Sequence, residues 1–304
     1  MRVDVHQHIW TQPLLDHLSR RRTLPLVERN HGLVVLHSAC ERPYVIDVDA
    51  EAPDRRGALM HADGLDLGIV AISSPIGIEA LPRGEAVELI EAHLAGSEAL
   101  PGEFARWGPI ALDELDPIDV DSMLDRGCVG ISLPAGALAG RDRLELVGGL
   151  LERIAAHHVP LFVHPGPAPG ARTPCEPLGE PLWWRALTDY VAQMQAAWLT
   201  FAAFGRREFP ELTVIFALLA GCAPLHSERL AARGGPQIEL RDPLTYYETS
   251  SYGPSAIEAL SRRVGERQLV YGSDRPVLEP AHSGRDRALQ SSAAALFATM
   301  GAVA

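Results

Sequence analysis

A chain of 304 residues, 47% of them hydrophobic, is long enough for one large core, built as a single barrel or as two small domains. Its formal charge of −12, with both signs interspersed and no basic stripe, argues against nucleic acid and anionic membrane as partners. It contains no lysine, all 27 basic residues being Arg, which excludes a Schiff-base lysine, a P-loop lysine and a carbamylated lysine bridging two metals.

Short apolar or β-branched runs alternate with helical patterns from end to end. In chain order the strand candidates are VDVHQH (3–8), GIVAISS (68–74), FARWGPIAL (104–112), CVGISL (128–133), PLFVH (160–164), LTVIFAL (212–218), TYYETS (245–250) and QLVYGS (268–273). Helical stretches lie between them, such as EAVELIEAHLA (85–95) and LELVGGLLERIAAHH (144–158). In the latter, Leu144, Val147, Leu151 and Ile154 recur at helical spacing. Eight strands with intervening helices predict a parallel sheet with right-handed crossovers. At this length the leading closed form is an α/β, (β/α)8 TIM barrel made as one domain over 1–304. An open doubly wound sheet is disfavoured, because no glycine-rich phosphate loop follows the first strand.

Two insertions break the regularity. LVVLHSACERPYVIDVD (33–49) alternates with period two on both sides of a turn-like centre and predicts a β-hairpin after strand 1. GPAPGARTPCEPLGEPLWW (166–184) is a Pro/Gly-rich loop after strand 5, the composition of a lid or wall. Cys40, Cys128, Cys175 and Cys222 are scattered without a CxxC pair and read as reduced thiols. No segment is apolar enough to span a membrane, and MRVDVHQH passes directly into strand-like sequence. The expected location is therefore cytoplasmic.

Alternation along the first strand puts Asp4, His6 and His8 on one face. His164 closes the fifth strand and Asp274 the eighth, in GSDRP. Three histidines and a carboxylate, each at the downstream end of a strand, form a donor set suited to Zn²⁺ or a similar divalent ion.

VDVHQH, then LFVHP, then YGSDRP, in this order and spacing, resembles the amidohydrolase superfamily over nearly the whole chain. The likeness is nearest to the amidohydrolase-related branch that includes aminocarboxymuconate semialdehyde decarboxylase, resorcylate-type decarboxylases and several lactonases. It implies a (β/α)8 barrel with one divalent metal, zinc first and manganese second. His6, His8 and His164 match the histidine ligands, and Asp274 matches the carboxylate that ligates metal or moves protons. The chain departs from the pattern at strand 6, where the branch keeps an acid–base histidine. Here FALLAGCAP (216–224) offers Leu218, or with a one-residue shift Ala217 or Leu219, and none of these transfers a proton or binds a metal. His226 lies beyond, in what reads as the next helix.

Hydrolysis of a lactone or amide by metal-activated water, with Asp274 as general base, needs no second histidine and is the first expectation. Metal-assisted decarboxylation without oxidation is the second, and a non-catalytic metal- or ligand-binding barrel the third. Use of the histidines without a metal is a further alternative. Trp10, Ser74, Trp184, Tyr252 and Arg275 are candidate substrate contacts, Arg275 through a bidentate pair with a carboxylate or, equally, as a salt bridge to a neighbouring loop. Trp183 and Trp184 read first as packing of the lid. The expected partner is a small molecule, an aromatic or otherwise hydrophobic one if Leu218 lines the pocket. A homodimer is compatible with the sequence.

Overall fold

In the computed structural model, residues 1–39, 41–170, 181, 183–280 and 284–299 are described. Eight short strands run parallel around a common centre: Val3–His8, Leu67–Ala71, Phe104–Arg106 with Gly108–Pro109, Ile131–Pro134, Leu161–His164, Val214–Phe216, Thr245–Glu248 and Leu269–Val270. The third is interrupted at Trp107, whose amide still donates to Val70 O at 2.9 Å while Val129 N donates to Arg106 O at 3.0 Å. The ring closes between the eighth and first strands through Val5 N to Tyr271 O (3.0 Å), Asp274 N to His6 O (2.9 Å) and His8 N to Arg275 O (2.7 Å). The fold is thus the expected (β/α)8 barrel, with its site-bearing end at the C-terminal ends of the strands.

The barrel interior is a packed core. Trp107 stacks on Phe162 with centroids 5.1 Å apart, and its indole N–H donates to Val5 O at 2.9 Å. Phe162 in turn lies 5.2 Å from the His6 ring, so an aromatic plug forms the floor under the histidines.

Two local differences from the sequence pattern have simple causes. The helix expected over 144–158 is two helices, Arg141–Leu146 and Gly148–Ala156, with Val147 between them at φ −88°, ψ 3°. The Gly148–Gly149 pair weakens helix propensity at the junction without disturbing the apolar spacing. The insertion after strand 1 contains the expected pair, Leu33–His37 with Tyr44–Ile46, and a third antiparallel strand, Leu26–Asn30. That strand buries only Val27 fully, so its sequence carries no alternation to read. Most of the Pro/Gly-rich loop, and Cys40 and Cys175, fall outside the described residues.

The stretch after strand 6 takes a form that nothing in LLAGC announces. Leu218, Leu219, Ala220, Gly221 and Cys222 have φ of 51°, 50°, 55°, 59° and 59°, one continuous left-handed turn. For L-residues each such position costs about 1–2 kcal/mol. Burial of Leu218, Leu219, Ala220 and Ala223 in the core offsets this, since a buried Leu contributes roughly 1.5–3 kcal/mol. Glycine is required at one point of the turn: a Cβ on Gly221 would sit 2.7 Å from Val191 O. Gly221→Ala should destabilise the protein by on the order of 2–4 kcal/mol, visible as a lowered thermal midpoint.

Candidate metal centre

The two histidines of the first strand, His164 of the fifth and Asp274 beyond the eighth converge, with ligand atoms all within 4.8 Å of one another and all four residues buried. A register shift between Asp4 and Gln7 interrupts strict alternation along the first strand. Asp4 stays outside the group, its carboxylate receiving His6 N, Gln7 Nε2 and Ser273 N. His6 and His8 still meet, Nε2 to Nε2, at 3.2 Å. Asp274 Oδ1 lies 3.4 Å from His6 Nε2 and 3.2 Å from His8 Nε2. Asp274 reaches this place from a left-handed backbone position, φ 59°.

The three rings stand nearly perpendicular to one another, at 84°, 88° and 89°, with centroids 4.8–5.0 Å apart. They meet as three faces of a cube meet at a corner. Each ring is oriented from behind by an acceptor on Nδ1: Ala71 O for His8 at 3.0 Å, Pro165 O for His164 at 2.8 Å, and Glu248 Oε2 for His6 at 3.0 Å. A carbonyl oxygen only accepts, so His8 and His164 carry their hydrogen on Nδ1 and leave Nε2 as a lone pair.

Lone pairs and a carboxylate crowded at 3.2–3.4 Å repel unless a cation lies between them. Two donors each about 2.1 Å from a common ion and about 100° apart would be separated by about 3.2 Å, so the spacing fits a zinc- or manganese-sized ion. The surrounding carboxylates favour positive charge at this point, carried by the His6 ring when no ion is bound. Burial opposes charge on His6, but the Glu248 and Asp274 carboxylates outweigh it and push the ring up to about 9. Burial, with His6 and His8 adding to it, holds His164 well below the ordinary imidazole value. The residues present therefore fit a divalent ion.

The other candidates are dispersed. Trp10 is buried near Tyr44, ring centroids 6.3 Å apart, with its indole N–H unpartnered. Ser74 is buried and donates to Glu79. Trp184 is exposed beside Trp183. Tyr252 packs against the core and hydrogen-bonds Cys222. Arg275 is committed to structure, paired with Asp63 at 3.0 Å and Glu279 at 2.8 Å. His226 is exposed at the start of the helix Ser227–Ala232, as expected.

The structure adds residues that sequence reasoning missed. Glu248 looked like one more strand residue in TYYETS; only its being acidic at a strand's downstream end could have marked it. Arg185 pairs with Glu41 of the insertion at 3.3 Å and with Asp189 at 3.0 Å. Tyr44 and Tyr190 have phenols raised chiefly by burial, and both feel the charge of Asp274. Glu79 is fully buried with Oε2 unpartnered, and burial pushes its carboxyl up to about 7 despite the Ser74 hydrogen bond. The folded chain thus keeps a proton that the unfolded chain releases near its ordinary 4.5. Native stability falls as pH rises from about 4.5 to 7 and stays lowered above that. Glu79→Gln should remove this loss, gaining up to about 3 kcal/mol over the wild type on going from pH 5 to pH 8, measured by denaturant unfolding at both.

No protein-family model matches the chain, and no curated protein matches it. Solved structures do. One is 5-carboxyvanillate decarboxylase from Novosphingobium aromaticivorans with bound manganese and 3-methoxy-4-hydroxy-5-nitrobenzoic acid: TM-score 0.71, 15% identity, covering 98% of this chain and 97% of that one. Another is 2,6-dihydroxybenzoate decarboxylase from Rhizobium: TM-score 0.65, 15% identity, 98% of each chain. A third, an amidohydrolase II, gives TM-score 0.71 at 16% identity over 98% of this chain and 100% of that one. At such identities the likeness is one of fold: the chain has the (β/α)8 barrel that these structures share.

Proposed function

We propose that this chain is a metal-dependent decarboxylase that acts without oxidation on a small aromatic carboxylate. One observation carries the reading: His6, His8, His164 and Asp274 converge as a single buried donor set at the mouth of a barrel whose structural neighbours include a manganese-bound decarboxylase. This reverses the order of preference drawn from sequence alone, where hydrolysis came first. When bound, a divalent ion there supplies Lewis acidity towards the substrate's oxygens. The nitrogen-rich donor set favours zinc and the neighbour favours manganese, a choice that elemental analysis of the purified protein settles.

The rest falls to side chains. Tyr44, whose phenol feels the charge of Asp274, is the aromatic side chain nearest to hand for a flat ring, with Trp10 packed behind it. Asp274 is the side chain of the group that would relay a proton from solvent. As the bond between ring carbon and carboxylate breaks and CO₂ leaves, that carbon takes the proton from the Asp274 carboxyl, and solvent restores it.

A hydrolase remains the second reading, on a specific observation: strand 6 is followed by Ala217 and Leu218 and supplies no acid–base side chain, and hydrolysis needs none beyond Asp274, which can take a proton from water and pass it to the leaving group. The test is a parallel assay of the metal-loaded protein for CO₂ release from hydroxylated benzoates and acid release from aryl lactones and amides. CO₂ release supports the proposal; acid release alone replaces it with the hydrolase.

A further inference from the structure

Glu248 is an unusual group to find under a metal centre. Its side chain is fully buried, and among the described residues its one ion-pair partner is His6. It accepts from four donors: His6 Nδ1 at 3.0 Å, Leu218 N at 3.2 Å and Ser250 Oγ at 2.9 Å, all on Oε2, and Ser250 N on Oε1. Room for it is built in, because a Cβ on Gly272 would stand 2.2 Å from Glu248 Oε1. Three successive strand ends thus shape one carboxylate seat: the turn after strand 6 gives an amide, strand 7 the residue itself, and strand 8 a glycine.

A buried carboxylate without an arginine is costly unless a cation neutralises it. The candidate cation is the ion that His6 would hold, one imidazole away. The other two histidines are oriented by neutral carbonyls, so His6 alone has a charged support. With Asp274 it gives the His6 ring a carboxylate beside each nitrogen.

We propose that Glu248 is the positioning residue that fixes the His6 tautomer and sets how tightly the centre holds its ion, and that the left-handed turn opened by Leu218 serves to seat it. This accounts for a turn that keeps its costly shape where no acid–base side chain is mounted on it. The amide of Leu218, at φ 51°, does the work that its side chain cannot. The proposal rests on the metal reading but not on the reaction.

The test measures Zn²⁺ and Mn²⁺ affinity by chelator competition in the wild type and in Glu248→Gln, which keeps the shape and removes the charge. Gly272→Ala, which crowds the same seat, is the independent second variant, and circular dichroism reports folding. Outer carboxylates of metal-bound histidines contribute about 10–100-fold in affinity. Both variants should therefore bind about 10–100-fold more weakly while remaining folded. In the zinc-loaded wild type, the His6 Nδ1–H should give a downfield proton resonance that moves upfield in Glu248→Gln. Equal affinity in wild type and folded variants overturns the role of Glu248 and leaves the metal reading standing. A wild type that binds neither ion overturns both. If Glu248→Gln does not fold, Gly272→Ala decides between the same two outcomes.

Discussion

Asp274→Asn should cut turnover by about 10²–10⁴-fold, whichever of the two reactions is measured. The substitution keeps size and shape and leaves an oxygen able to face His6 and His8, now 3.4 and 3.2 Å from Asp274 Oδ1. What it removes is a carboxyl that can take up and release a proton. Strand 6 offers nothing to share that task, since Ala217 lies beside Val163 O and Leu218 begins the turn. Metal content, followed by elemental analysis, separates two ways of losing activity. Turnover lost with the ion retained assigns Asp274 to proton transfer. Ion and turnover lost together assign it to ligation alone, and full activity removes it from the mechanism.

Removing the ion should have the other large effect. A ligand that binds only the folded state stabilises it by about 4.1 kcal/mol when free at 1,000 times its dissociation constant. Stripping the centre with a chelator should thus lower the thermal midpoint by roughly 6 °C and abolish activity. Adding back one equivalent of Zn²⁺ or Mn²⁺ should restore both. The stability loss is not general to chelation: His164→Ala should show a low midpoint from the outset and no further response to chelator. A wild type whose melting curve ignores both chelator and added metal would refute the centre.

The barrel and the donor set were legible in the sequence because both rest on local pattern. Strand runs declare themselves by period and β-branching, and His6, His8, His164 and Asp274 each sit at the end of such a run. What was not legible depends on pairing across long separations. Glu248 lies 242 residues from His6 in the chain, and no local feature of TYYETS marks which side chain it will meet. Glu79 sits in a short turn and is acidic, as surface loops often are; only the packed structure shows that it is sealed in. Arg275, beside Asp274, looked equally suited to a substrate carboxylate or to a neighbouring loop, and Asp63 and Glu279 take it. The break at Val147 escaped notice because apolar spacing continues across it, although the backbone does not.

The mirror-handed segment 218–222 has a consequence for the engineering of this barrel. Its shape is held by Gly221 against Val191 O, by one amide on Glu248 and by burial of Leu219, Ala220 and Ala223 beside Leu218, so most of its supports lie away from its entrance. A histidine engineered at position 218 would therefore enter a frame held mostly by its neighbours.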